Sequence, residues 1–175
     1  MVVPLSAKGS GAGKNGQSPG ALTDPEIGHV IHIREEEKLA RDLYLTLYQV
    51  YEAPIFANIS ESEQRHMDAM KRLIATYGLD DPVKDDTIGM FANEYFTQLY
   101  TDLVAKGNGS YCAALQVGIA IEELDIEDSK LALAEVTATD VRRVFNNLLS
   151  GSYNHLSAFM NQHAAAGCPS ISESP

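Results

Sequence analysis

Glu63 and His66 stand three residues apart in the segment ISESEQRHM. On an α-helix this spacing sends both side chains out of one face, where a carboxylate and an imidazole can meet around one cation. A surface pair would show the same spacing, so position has to decide. Both residues interrupt an apolar stripe of Phe56, Ile59, Met70, Leu73 and Tyr77 that recurs in steps of three and four, the pattern of a helix face turned to a core. A carboxylate placed there costs several kcal/mol unless it is paired, protonated or bound to metal.

Three other helical segments carry inward polar groups in the same way. In the run Glu35-Glu36-Glu37, Glu37 shares its face with Val30, Ile33, Ala40 and Tyr44. Glu35 falls with Lys38 and Asp42 on what reads as a solvated face, and Glu36 stays a rival to Glu37 because Leu43 and Leu47 lie near its side. Glu122 lines up with Leu115, Gly118, Ile119 and Ile126, whereas Glu123 lines up with Gln116, Glu127 and Lys130. Asp125 shares the inward face of Glu122, either as a further ligand or just behind one. His155 sits on a stripe with Val141, Val144, Leu148 and Phe159. A lone core histidine is ordinarily a hydrogen-bonded residue, but several inward carboxylates facing one cavity need a common partner, and a pair of divalent cations is the economical one. A second Glu-x-x-His would require glutamate at 152, where the chain has Ser152. His29, His32 and His163 read as surface residues, and Tyr44, Tyr48 and Tyr51 as packing residues, Tyr44 near enough to line the cavity.

The elements that must hold these residues are helices. Thr23, Asp24, Pro25 and Glu26 form an N-terminal capping box, and the helix they open should run to about Tyr51. Pro54 breaks the chain and lets an antiparallel helix begin, ended by Gly78 and the sequence Asp80-Asp81-Pro82. Residues 78–109 form a long connection with one short amphipathic helix near Glu94–Lys106. A link of that length can travel the whole bundle, making the second and third long helices parallel. The third is expected from Ser110 as N-cap to about Glu135, and the fourth from Thr139 as N-cap to about Gln162, with Gly151 as a local objection. The fold class is therefore all-α, a four-helix bundle with a crossover connection that contains a short extra helix. Residues 1–22 are rich in Gly, Ser and Lys and read as a flexible leader, residues 23–163 as the bundle, and 164–175 as a flexible tail.

Composition narrows the function classes. The 24 acidic against 13 basic side chains give a net charge of -11, a field that repels phosphate backbones and anionic membranes. No stretch approaches the ~20 apolar residues of a membrane span. Cys112 and Cys168, far apart in sequence, define neither a disulfide framework nor a thiolate metal site, which points to a reducing, cytoplasmic setting.

The segments REEEKLARDLYLTLY, IFANISESEQRHMDAM, IEELDIED and NNLLSGSYNHLSAF, in that order, resemble the DUF2202 family, an uncharacterized ferritin-like domain, over about residues 21–160. The wider superfamily of rubrerythrins, bacterioferritins and ferritins implies a carboxylate-bridged di-iron or di-manganese centre. Carried over, the resemblance implies Glu37, Glu63, His66, Glu122 and His155 as ligands, with Asp125 where some relatives hold an extra glutamate. Serine at 152 departs from that pattern and puts the second metal position in question.

Mixed carboxylate and imidazole ligands suit iron first, with manganese and zinc as alternatives. The expected function is a metal protein that reduces dioxygen or peroxide. Lacking a Cys-x-x-Cys module, it would take electrons from an external donor. A non-enzymatic metal binder and a metal-free helical interaction module are the alternatives, and a homodimer is the assembly this reading allows.

Overall fold

The computed structural model describes residues 20–170. The leader expected over 1–22 therefore lies outside the described residues except for its last three, as does the end of the expected tail. Among the described residues there are five helices and no strand: α1 Asp24–Tyr51, α2 Pro54–Tyr77, α3 Glu94–Gly107, α4 Tyr111–Glu135 and α5 Thr139–Ala165.

Local chemistry sets most of these boundaries. Thr23 Oγ1 accepts from the Glu26 N–H while Glu26 Oε2 accepts from the Thr23 N–H at 2.9 Å, completing the capping box of α1. Glu52, in the left-handed region at φ 48°, ends α1, and Pro54 begins α2 two residues later. So short a link forces α1 and α2 to run antiparallel. Gly78 ends α2 at φ 64°, a conformation that glycine adopts without a Cβ clash. Ser110 caps α4 by accepting from the Ala113 N–H at 3.1 Å.

The start of α5 differs from the expectation by one residue, since Ala138 rather than Thr139 occupies the N-cap and offers no side-chain bond. The turn before it is held from elsewhere. Glu26 Oε1 accepts from the N–H groups of Thr137 and Ala138 at 2.7 and 3.2 Å, so the first turn of α1 fastens the α4–α5 connection.

The four long helices form a ring in which α1 adjoins α2 and α4, and α5 adjoins α2 and α4; α3 packs on α1 and α4. Two apolar clusters fill the ends of the bundle. One joins Leu43 and Leu47 near the end of α1 to Phe56, Ala114, Leu115 and Phe159. The other joins Val30 and Ile33 near the start of α1 to Met70, Leu73, Ala132, Val141 and Phe145. The starts of α2 and α4 thus share one end, which makes them parallel, and the crossover runs the bundle's length. Tyr51 marks its arrival by donating to the Gly107 carbonyl at 2.7 Å. Phe145 fills the core where Val144 was expected, and Val144 is only half-buried.

The crossover corrects one reading of α1. Every residue from Arg34 to Tyr44 is buried, including Glu35, Lys38 and Asp42, which alone looked like a solvated face. Glu35 accepts from the N–H groups of Ala92 and Asn93 at 2.7 and 3.1 Å. Lys38 pairs with Asp42 and donates to the Thr87 carbonyl at 2.8 Å. Arg41 bridges Asp42 and Asp86, each at 2.7 Å. No local pattern announces a cover that arrives from some 50 residues downstream.

The cysteines supply a second correction. Cys112 and Cys168 form a disulfide, tying the segment after α5 to the first turn of α4, so the expected tail is held to the bundle as far as Cys168. The pairing removes the ground on which unpaired cysteines pointed to a reducing compartment. None of the described helices is long and apolar enough to cross a membrane.

Candidate metal centre

Between the two apolar clusters lies a layer of buried polar side chains contributed by all four long helices. Glu37 from α1, Glu63 and His66 from α2, Glu122 from α4 and His155 from α5 converge in two groups, Glu37–Glu63–His66 and Glu63–Glu122–His155, and within each group the candidate ligand atoms all lie within 4.8 Å of one another. Glu63 belongs to both. Its Oε2 is 2.8 Å from His66 Nδ1 and its Oε1 is 2.7 Å from His155 Nδ1. Glu37 Oε2 lies 3.1 Å from His66 Nδ1, and Glu122 Oε2 lies 3.4 Å from His155 Nδ1. The two imidazoles stack at a centroid distance of 5.6 Å.

Proximity here does not amount to hydrogen bonding throughout. Glu63 Oε1 and His155 Nδ1, although 2.7 Å apart, have no hydrogen-bond partner of acceptable geometry, and neither do Glu122 Oε2, Glu36 Oε1 or the two carboxyl oxygens of Asp125. Buried polar atoms are paired in the great majority of cases. A set of oxygen and nitrogen donors drawn together without alignment to each other is what a shared cation requires, so the residues fit a carboxylate–imidazole metal site.

The electrostatics agree. Burial drives the Glu37 carboxyl up to about 8 against the pull of His66, with Glu63 adding repulsion. Burial also raises Glu122 to about 7, although the nearby His155 and the hydroxyl of Tyr44 oppose it. Asp125 is pushed well above the ordinary range by burial and then by the charge of Glu36. Glu63 goes the other way. Burial would raise it, but contacts with both histidines outweigh that and hold it near 2. Four inward carboxyls, Glu37, Glu63, Glu122 and Asp125, thus share the layer with two imidazoles, while Arg34, Lys38 and Arg41 point to the crossover side.

Three neighbours shape the layer. Tyr44, expected as a packing residue near enough to line the cavity, does line it and donates from its hydroxyl to Glu122 Oε1 at 2.7 Å. Gly151, the local objection within α5, has a purpose: a Cβ there would come within 2.5 Å of His66 Cε1, so only glycine lets the imidazole lie against that helix. Ser152 is buried and donates to the Leu148 carbonyl at 3.2 Å, away from the layer. The half around His155 nonetheless has two carboxylates within reach, its own Glu122 and the shared Glu63.

Asp125 lies deep in the same layer at 3% exposure but outside both groups. Glu36 and Glu37 are both buried, resolving their rivalry by direction: Glu37 faces α2, and Glu36 joins His32 and Asp128. His32 is accordingly not a plain surface residue, and His163, at 6% exposure with Gln116 3.4 Å away, is not one either.

A family model described as an uncharacterized protein domain, DUF2202, matches residues 26–169. The uncharacterized protein MJ0754 of Methanocaldococcus jannaschii is 49% identical over 139 residues, which is 79% of this chain and 75% of the relative. A crystal structure of hypothetical protein MJ0754 from Methanococcus jannaschii superposes with a TM-score of 0.84 at 45% identity, over 91% of this chain and 88% of that one. A DUF305 fragment from Deinococcus radiodurans, with a TM-score of 0.65 over 83% of this chain and 99% of its own, is 14% identical and likeness to it concerns the fold alone.

Proposed function

We propose, from the premise that this chain belongs to the DUF2202 family, that it is a ferritin-like protein holding two divalent cations that share the Glu63 carboxylate. The single observation that carries this reading is the position of Glu63: each of its oxygens faces a different histidine, and each histidine has a further glutamate of its own, Glu37 or Glu122. Parallel α2 and α4 joined by a long crossover support the ferritin-like assignment.

In this arrangement Glu37 and His66 would hold one ion and Glu122 and His155 the other, with Glu63 in reach of both. Iron, or failing it manganese, supplies one-electron redox chemistry toward dioxygen or peroxide when bound, whereas zinc would leave the same ligands without it. Tyr44 acts as a positioning residue. Burial and then the adjacent Glu122 charge raise its pKa well above the ordinary tyrosine range, so its hydroxyl keeps its proton and holds Glu122 in place. Side-chain exposures of 13% at His66 and 10% at His155 keep both imidazoles largely out of solvent. Without a Cys-x-x-Cys module in the chain, electrons are returned by an external donor.

Metal analysis of protein purified without chelators, followed by anaerobic loading with Fe2+ and exposure to dioxygen or peroxide, tests the reading. Glu63→Gln should lose two metal equivalents relative to the unsubstituted chain, and oxidant consumption with them. Loading that is unchanged in Glu63→Gln overturns the shared-carboxylate site. Loading without oxidant consumption removes the redox function and leaves a metal-binding protein.

A further inference from the structure

We propose that His32, Glu36 and Asp128 form a third divalent-cation site, with Asp125 behind it, on the α1–α4 side of the bundle. It has no residue in common with the two groups around Glu63 and stands or falls separately from them.

The site is built by two adjacent helices, each contributing a same-face pair. His32 and Glu36 are four residues apart on α1, and Asp125 and Asp128 three apart on α4, spacings that place each pair one turn above the other. The packing of α1 on α4 closes them into one cluster. His32 Nε2 lies 3.0 Å from Asp128 Oδ2, and one ligand atom from each of His32, Glu36 and Asp128 falls within 4.8 Å of the others. The Phe96 ring of α3, 5.1 Å from the imidazole, restrains His32 from the crossover side.

Acidic clusters at surfaces are common without a cation, and an ion pair between His32 and Asp128 would account for those two residues. It does not account for Glu36. That side chain is 2% exposed, its Oε1 has no hydrogen-bond partner, and its nearest charged neighbours include the carboxylates of Asp128, Glu37 and Asp125. Both oxygens of Asp125, at 3% exposure, also lack partners. Burial of a carboxylate among carboxylates is costly without a cation, and among the described residues the nearby Arg34, Lys38 and Arg41 pair with Asp81, Asp42 and Asp86 instead of with this cluster. An ion held by His32, Glu36 and Asp128 would satisfy Glu36 Oε1 and lower the repulsion on Asp125.

Access separates this site from the Glu63 pair. Its imidazole and its outer carboxylate are open, with side-chain exposures of 38% for His32 and 24% for Asp128, so a cation can enter directly from solvent while Glu36 meets it from below. Its donor set, one nitrogen and two or three carboxylates, suits Mn2+, Fe2+ or Zn2+ over Ca2+, which favours all-oxygen ligands. Glu36 and Glu37, adjacent on α1, thus serve different sites on the two sides of one helix.

Equilibrium dialysis of the full chain against Mn2+ tests the assignment. His32→Gln and Asp128→Asn should each bind one fewer Mn2+ than the unsubstituted chain and keep the ions lost in Glu63→Gln. A count unchanged in both variants overturns the third site and leaves the Glu63 reading intact. One ion lost in these variants with no change in Glu63→Gln would have the opposite meaning, sustaining this site and sinking the other. Crystals of the unsubstituted chain soaked in MnCl2 give a readout that no folding defect can disturb: anomalous density between His32 Nε2, Glu36 and Asp128 supports the site, and density at Glu63 alone overturns it.

Discussion

Helix α1 buries charge on two sides, and the two sides are solved differently. Beneath the crossover, Glu35 receives two backbone N–H groups, Asp42 receives Lys38, Arg41 and the Gly89 N–H, and Arg34 reaches Asp81 and the Met67 carbonyl. On its other faces, Glu37 looks onto Glu63 and His66, and Glu36 onto Asp128, Asp125 and His32, with imidazoles but no lysine or arginine for company. All of the unpartnered buried side-chain atoms found among the described residues belong to these residues or to Glu122 and His155. On the reading proposed above, the contrast separates charge that is paired within the protein from charge placed for a cation. A chain able to neutralise one buried cluster with lysine and arginine has left the neighbouring one a turn away without them.

The strongest way to break that comparison is to attack the satisfied side. Lys38→Ala leaves the fully buried Asp42 with Arg41 and the Gly89 N–H alone and should cost about 1.5–3 kcal/mol of unfolding free energy, measured by denaturant titration, with metal stoichiometry unchanged in the folded fraction. A loss of metal with little loss of stability would mean that the two regions had been assigned the wrong way round.

Gly151→Ala attacks the interior side. The added methyl must displace the His66 ring, so affinity for the ion held by Glu37 and His66 should fall about 10-fold or more, the scale on which ligand positioning acts. The metal-free protein should be as stable as before or more so, since alanine is favoured over glycine within a helix by about 1 kcal/mol. Stability and binding moving in opposite directions is the signature; parallel losses would point to a packing defect.

A smaller effect sharpens the comparison through pH. Backbone N–H groups from Thr23 and Thr137 hold the Glu26 carboxyl down, from 4.5 to about 2. Because the folded-state value is the lower one, its contribution is present above the unfolded value and disappears as pH falls through about 2. Glu26→Gln should remove on the order of 1 kcal/mol of stability near neutrality and flatten the acid limb of the stability curve between pH 4.5 and 2. An acid limb unaltered by the substitution would show that Glu26 does not fasten the α4–α5 turn.

Much of the fold could be read from the chain because its signals are local. The capping box at Thr23, the break at Pro54, the stop at Gly78 and the cap at Ser110 act within a turn of themselves, and stripes of steps three and four put Glu63, His66, Glu122 and His155 inside. What escaped was non-local. The burial of Glu35, Lys38 and Asp42 depends on the crossover lying over them, the pairing of Cys112 with Cys168 depends on where α5 ends, and the glycine at 151 makes sense only beside an imidazole from another helix. Glu36 and Glu37 could not be ranked by periodicity because both are inside, facing different neighbours.

The central claim concerns Glu63, and crystallography of the full chain loaded with Fe2+ reads it most directly through anomalous differences recorded on either side of the iron edge. The account predicts two peaks flanking the Glu63 carboxylate, one between Glu37 and His66 and one between Glu122 and His155. A map with no density at Glu63, in protein that has been shown to take up iron, would contradict it.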